Sequence, residues 1–159
     1  EWRNKGLPVT VDTFLAYRVI TIFNKPWIEL CRVLAGIELD LALPANPDLA
    51  EVESLAAEIT YLVNDLASIQ RDLEKNKPNI AFVLRDQRGL TLPAATLETR
   101  DMHDRKLRRF VELCSKLESE VPSRGLSDYL DLMKIALRGN VQVVVELTQR
   151  YDLLAAVRA

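Results

Sequence analysis

The sequence predicts an all-α bundle. Long stretches with a 3.6-residue apolar period recur along the 159 residues, and only five glycines interrupt them. No segment has the alternating, β-branched character of a strand. Seven helices and no strands are expected, packed as a single helical unit over residues 1–159.

Each element has its own signal. Thr10, following Pro8, is a natural N-cap for a helix that carries Phe14, Tyr17 and Arg18 to about Phe23. Asn24-Lys25-Pro26 breaks it, and a short helix continues from about Trp27 to Ala35, ending at Gly36. Pro44 and Pro47 bracket a loop in which Asn46 is the cap and Pro47 the first helical residue. The helix from Pro47 to about Lys75 is predicted to be the longest. A basic turn, Lys75-Asn76-Lys77-Pro78, leads to a short helix from Asn79 to about Asp86, closed by Gly89. Thr91 caps a helix from Leu92 to about Leu117, Ser127 caps another through Arg138, and a last helix covers Val141 to Gln149.

Composition narrows the function. Residues are 48% hydrophobic and 28% charged, as in a globular domain with a real core. A net charge of −2 gives no electrostatic footprint for nucleic acid or an anionic membrane surface. No apolar run approaches the ~18 residues needed to span a bilayer, so no membrane anchor is expected. Cys31 and Cys114 are far apart and lack neighbours at metal spacing, which suits reduced core thiols in a cytoplasmic protein. His103 is the only histidine, which excludes a multi-histidine metal centre and disfavours most hydrolase triads.

The most informative run is Asn64-Asp65-Leu66-Ala67-Ser68-Ile69-Gln70-Arg71-Asp72. Asn64, Ser68 and Asp72 stand at i, i+4 and i+8, so on a continuous helix they drift only roughly 80° and share one face. Compact oxygen donors stacked over two turns suit a hard divalent cation such as Mg²⁺. The preceding stretch, Leu55 to Val63, is largely apolar and places these polar groups where burial demands partners. Asp65, beside the first donor, reads as a group that orients its neighbours.

This nonapeptide resembles the NSE/DTE metal motif of class I terpene synthases, (N/D)D(L/I/V)x(S/T)xxxE, with Asp72 where Glu is commoner. Arg18, 46 positions before Asn64, resembles the family's diphosphate-sensing arginine. Arg150-Tyr151, following Gly139-Asn140, resembles the pair that closes over the diphosphate in bacterial members. Asn79-Ile80-Ala81-Phe82-Val83-Leu84 resembles the stretch after the metal helix. Ile22 stands where bacterial relatives usually have Gly or Ser, and Val141 to Gln149 lacks the tryptophan often found there. The aspartate-rich motif has no counterpart; Asp101 and Asp104 belong to a strongly charged run that reads as a solvated helix face.

The resemblance implies the C-terminal half of a terpene synthase catalytic domain, in a chain that is part of a longer polypeptide. It implies a carbon–oxygen lyase that ionises a linear prenyl diphosphate, C15 or C20, and cyclises the carbocation. Three Mg²⁺ are expected in the full site, one of them held by Asn64, Ser68 and Asp72. Arg18, Arg71, Arg150 and Tyr151 are the implied diphosphate ligands, with Arg18, Arg150 and Tyr151 the implied catalytic groups. Phe14, Tyr61 and Trp27 are candidates to line the cavity and face the cation. Partners implied are the prenyl diphosphate, the missing N-terminal half and, since the family often dimerises, a second copy. The competing reading is an inactive helical module, structural or interacting, that retains the metal-triad helix.

Overall fold

The computed structural model describes residues 9–144. Among them are seven α-helices: α1 (Val11–Thr21), α2 (Asn24–Leu34), α3 (Pro47–Ala67), α4 (Ile69–Glu74), α5 (Ile80–Arg88), α6 (Leu92–Glu120) and α7 (Arg124–Gln142). A single 3₁₀ turn, Leu43–Ala45, precedes α3. No strand occurs among the described residues.

Local chemistry sets most boundaries. Thr10 caps α1 through a reciprocal capping box with Thr13. The Asn46 side chain accepts from the N–H groups of Asp48 and Leu49, with Pro47 in the first turn of α3. Thr91 caps α6, and Gly89 closes α5 in the left-handed region at φ 65°. Between α1 and α2 the chain turns at Phe23, a non-glycine residue at φ 60°.

Several boundaries depart from the sequence reading; Asn24-Lys25-Pro26, expected as a break, is the first turn of α2. The helix expected over Pro47 to Lys75 is two helices, divided at Ser68 (φ −100°, ψ 3°), so α6, with 29 residues, is the longest described. Helix α7 begins at Arg124 after Ser123, one turn ahead of the expected Ser127 cap. It also runs unbroken through Gly139-Asn140, because one glycine costs a helix only ~1 kcal/mol and the flanking Leu137 is anchored in the core.

Helices α3 and α6 form the spine. They run antiparallel, and Asp48–Lys116, Glu51–Arg109 and Glu58–Lys106 bridge them as successive rungs at 2.6, 2.8 and 2.5 Å. Exposed pairs of this kind fix register more than stability. The larger core joins α2, α3, α6 and α7 through Ile28, Val52, Ala56, Phe110, Leu113, Leu130 and Met133. Gly125 lets α7 approach the loop that follows α2: a Cβ there would lie 1.9 Å from the Glu38 carbonyl oxygen. A smaller core lies at the opposite end of α3, where Val11 and Phe14 of α1 meet Tyr61, Leu62, Ile80, Ala81, Leu84 and Ala95. The polar cluster sits beside this smaller core.

Candidate metal and diphosphate site

Six polar side chains are buried among the described residues, and four of them (Asp65, Ser68, Asp72 and Asn79) lie in one cluster. Burial without partners would cost several kcal/mol per group, so the cluster has to satisfy itself or a ligand. Ser68 stands at the α3–α4 division, where its N–H is shared between the carbonyls of Asn64 and Asp65 at 3.1 and 3.3 Å. The Asp72 N–H still reaches the Ser68 carbonyl at 2.8 Å, so the helical spacing survives the bend. Ser68 Oγ donates to Asp72 Oδ2 at 2.5 Å. The expected face is therefore retained for these two residues, on a bent segment instead of a straight helix.

The two oxygens of Asp72 are used differently. Oδ1 accepts from Arg71 Nη2 and Nε at 2.9 and 3.2 Å. Oδ2 faces Ser68 and also accepts from Asn79 Nδ2 at 3.2 Å. Arg71, expected to face a diphosphate, is thus turned onto the neighbouring carboxylate.

Arg18 arrives from α1. Its Nη2 donates to Asp65 Oδ1 at 2.5 Å and lies 3.4 Å from Asn64 Oδ1. Asp65 is 1% exposed, and its other oxygen accepts the Ile80 N–H at 3.1 Å at the start of α5. Burial pushes the Asp65 carboxyl up to about 6, against the opposing pull of the Arg18 charge and the Ile80 N–H. The orienting role read for Asp65 has a clear geometry: it ties Arg18 to the segment that carries Asn64. Arg18 Nε is buried without a hydrogen-bond partner among the described residues.

The donor set fits a hard cation. Asn64, Ser68 and Asp72 offer one amide, one hydroxyl and one carboxylate oxygen, all compact, with no sulfur or imidazole. Among the described residues no group of three His, Cys, Asp or Glu provides another centre. The guanidinium of Arg18 beside this set, with a buried N–H left over, suits an anion next to the cation.

The aromatic candidates divide. Phe14 and Tyr61 are fully buried in the smaller core, packed by α5 and α6, so they fill the interior and do not line an open cavity. The Tyr61 hydroxyl finds no partner among the described residues, and burial raises its pKa strongly. Trp27 is 55% exposed and lines a groove of about 400 Å³ with Ile22, Phe23, Thr60, Gly139, Asn140 and Val143. Arg150 and Tyr151 lie outside the described residues. Sequence reasoning missed Asn79 as a member of the site. Its signal was present, an Asn after Pro78 at the head of an apolar run, but it was read as the first helical residue when it is the cap of α5.

The chain is similar to several known proteins. Residues 1–109 match the family described as terpene synthase family 2, C-terminal metal binding. Spiroviolene synthase of Streptomyces violens is 25% identical over 136 residues, covering 83% of this chain and 37% of that protein. The 2-methylisoborneol synthase of Streptomyces lasalocidi is 27% identical over 154 residues, covering 96% and 32%. The chain thus spans about a third of the length of these relatives. The crystal structure of 2-methylisoborneol synthase from Streptomyces coelicolor A3(2), in complex with Mg²⁺ and geranyl-S-thiolodiphosphate, superposes with a TM-score of 0.88 at 27% identity, over 96% of this chain and 48% of that one. The linalool/nerolidol synthase of Streptomyces clavuligerus shares the fold, with a TM-score of 0.82 at 22% identity. The all-α bundle is the fold of these enzymes, and the chain belongs to terpene synthase family 2, within the part described as C-terminal metal binding.

Proposed function

We propose that this chain supplies the metal-triad half of a class I terpene cyclase site, acting on a linear prenyl diphosphate of C15 or C20. The observation that carries the reading is the meeting of Arg18 from α1 with Asn64 and Asp65 at the end of α3, on the segment whose bend pairs Ser68 with Asp72. Its relatives include a spiroviolene synthase and a 2-methylisoborneol synthase, and the similar 2-methylisoborneol synthase of Streptomyces coelicolor A3(2) was crystallised with Mg²⁺ and geranyl-S-thiolodiphosphate. On this reading residues 1–159 are the C-terminal part of one catalytic domain, and an aspartate-rich half comes from outside them.

Asn64, Ser68 and Asp72 hold one Mg²⁺ of an expected three. Bound there, the ion neutralises charge that develops on the departing diphosphate. Arg18 binds phosphate oxygens while Asp65 fixes the direction of its guanidinium. Arg71, which now donates to Asp72 Oδ1, would be the residue to turn to the diphosphate if a cation took that carboxylate. Arg150 and Tyr151 close over the same group. The groove lined by Ile22, Phe23 and Trp27 forms one apolar wall that keeps water from the carbocation, and the exposed Trp27 ring is the aromatic face available to it.

The test is incubation of the full-length protein with C10, C15 and C20 diphosphates and Mg²⁺, with products read by gas chromatography. A cyclic hydrocarbon or alcohol from one chain length is expected, and Asn64→Ala lowers turnover about 100-fold or more. Undiminished turnover in Asn64→Ala would refute the metal assignment. No turnover of any chain length would leave the inactive helical module as the better account.

A further inference from the structure

We propose that Asn79 is a positioning residue that presets Ser68 and Asp72 for the divalent cation, an inference that rests on the metal reading above. Asn79 is 0% exposed and comes from the head of α5, outside the nonapeptide. Its Oδ1 accepts the Ala81 N–H at 3.0 Å, which caps α5 and fixes the direction of the amide plane. That leaves the two Nδ2 hydrogens aimed at the bend. Nδ2 donates to the Asp65 carbonyl at 2.7 Å and to Asp72 Oδ2 at 3.2 Å, with Ser68 Oγ at 3.5 Å.

Each contact has a consequence for a metal. The Asp65 carbonyl lies where the helical ladder of α3 is interrupted, so the bond from Asn79 stabilises the bend that sets Ser68 apart from α3. The contact to Asp72 is made to Oδ2, the oxygen facing Ser68, whereas Arg71 engages Oδ1. A neutral amide donor orients a carboxylate without cancelling its charge. A lysine or arginine there would hold the same oxygen but compete with the cation. Groups that hold metal ligands in this way commonly change metal affinity 10–100-fold when removed.

A purely structural role, capping α5, would need only the Oδ1 acceptor. Asn79→Ser separates the two roles, because serine remains a good N-cap but has no amide hydrogens to give Asp72 and Asp65. Mn²⁺ uptake by the full-length protein, followed by electron paramagnetic resonance without substrate, is the readout, with thermal unfolding measured in parallel. Leu84→Ala, which empties part of the core under α5, is the control for stability alone. We expect Asn64→Ala to lose the site and Asn79→Ser to weaken it about 10-fold or more, while Leu84→Ala lowers Tm without changing Mn²⁺ affinity. Wild-type affinity in Asn79→Ser, with Asn64→Ala still defective, overturns this inference and leaves the metal reading standing. An equal loss in Leu84→Ala also overturns it, by showing that stability alone accounts for the change. Wild-type protein whose Mn²⁺ uptake is unaffected by Asn64→Ala overturns the metal reading and this inference together.

Discussion

The two ends of α3 are built on opposite principles. Its first three turns and middle bury Leu49, Val52, Leu55, Ala56 and Ile59 against α6 and α7, and their energetics is apolar burial at ~25 cal/mol per Å². Its last turns, with α4, bury Asp65, Ser68 and Asp72, whose partners are Arg18, Asn79 and Arg71. Replacing such polar groups with matched apolar ones is often neutral or stabilising, so burial of charge is weak evidence for a stabilising role. The apolar end holds the bundle together; on the proposed reading the polar end keeps donors and a bent backbone ready for ligands, at a cost the apolar end offsets.

Substitutions should therefore separate stability from ligand binding along one helix bundle. Leu130→Ala, in the larger core at 0% exposure, should lose about 2–5 kcal/mol in urea unfolding and leave Mn²⁺ affinity unchanged. Lost metal affinity in a still-folded variant would mean that the two ends are not independent. Gly125→Ala forces α7 away from the Glu38 carbonyl and should cost about 1–3 kcal/mol, again with no effect on the metal. Asp65→Asn acts in the other direction. The folded carboxyl titrates near 6, above its unfolded value near 3.8, so the native state binds the extra proton and Asp65 loses stabilising contribution as pH rises from about 4 to about 6. Relative to wild type, the asparagine variant should gain roughly 1–3 kcal/mol of stability between pH 4 and pH 7, since one pKa unit is worth ~1.4 kcal/mol. Its affinity for inorganic diphosphate should nonetheless fall, because Arg18 loses its anchor. Unchanged diphosphate affinity would remove Asp65 from the site.

Much of the fold was legible because its signals are local. Thr10, Asn46, Pro47, Gly89 and Thr91 each act within a turn of their own position, and the structure uses every one of them. The bend at Ser68 was not legible, since Asn64 to Glu74 has no proline or glycine to mark it. The contact found there is tertiary, Asn79 reaching the Asp65 carbonyl from 14 positions away. The opposite error occurred at Gly139-Asn140, where a local breaker is overridden by packing of Leu137. At the site, the motif spacing named Asn64, Ser68 and Asp72, but the sequence could not distinguish Phe14 and Tyr61 from Trp27. Aromatic residues carry the same signal whether they face a core or a groove, and only the packing of α5 and α6 against α1 decides.

Anomalous diffraction from crystals of the full-length protein grown with Mn²⁺ and inorganic diphosphate tests the central claim most directly. The account predicts a manganese peak coordinated by Asn64 Oδ1, Ser68 Oγ and one oxygen of Asp72, with the diphosphate on Arg18 and Arg71 released from Asp72. Manganese bound elsewhere in the domain, with the Ser68–Asp72 hydrogen bond still closed and Arg71 still paired to Oδ1, would contradict it.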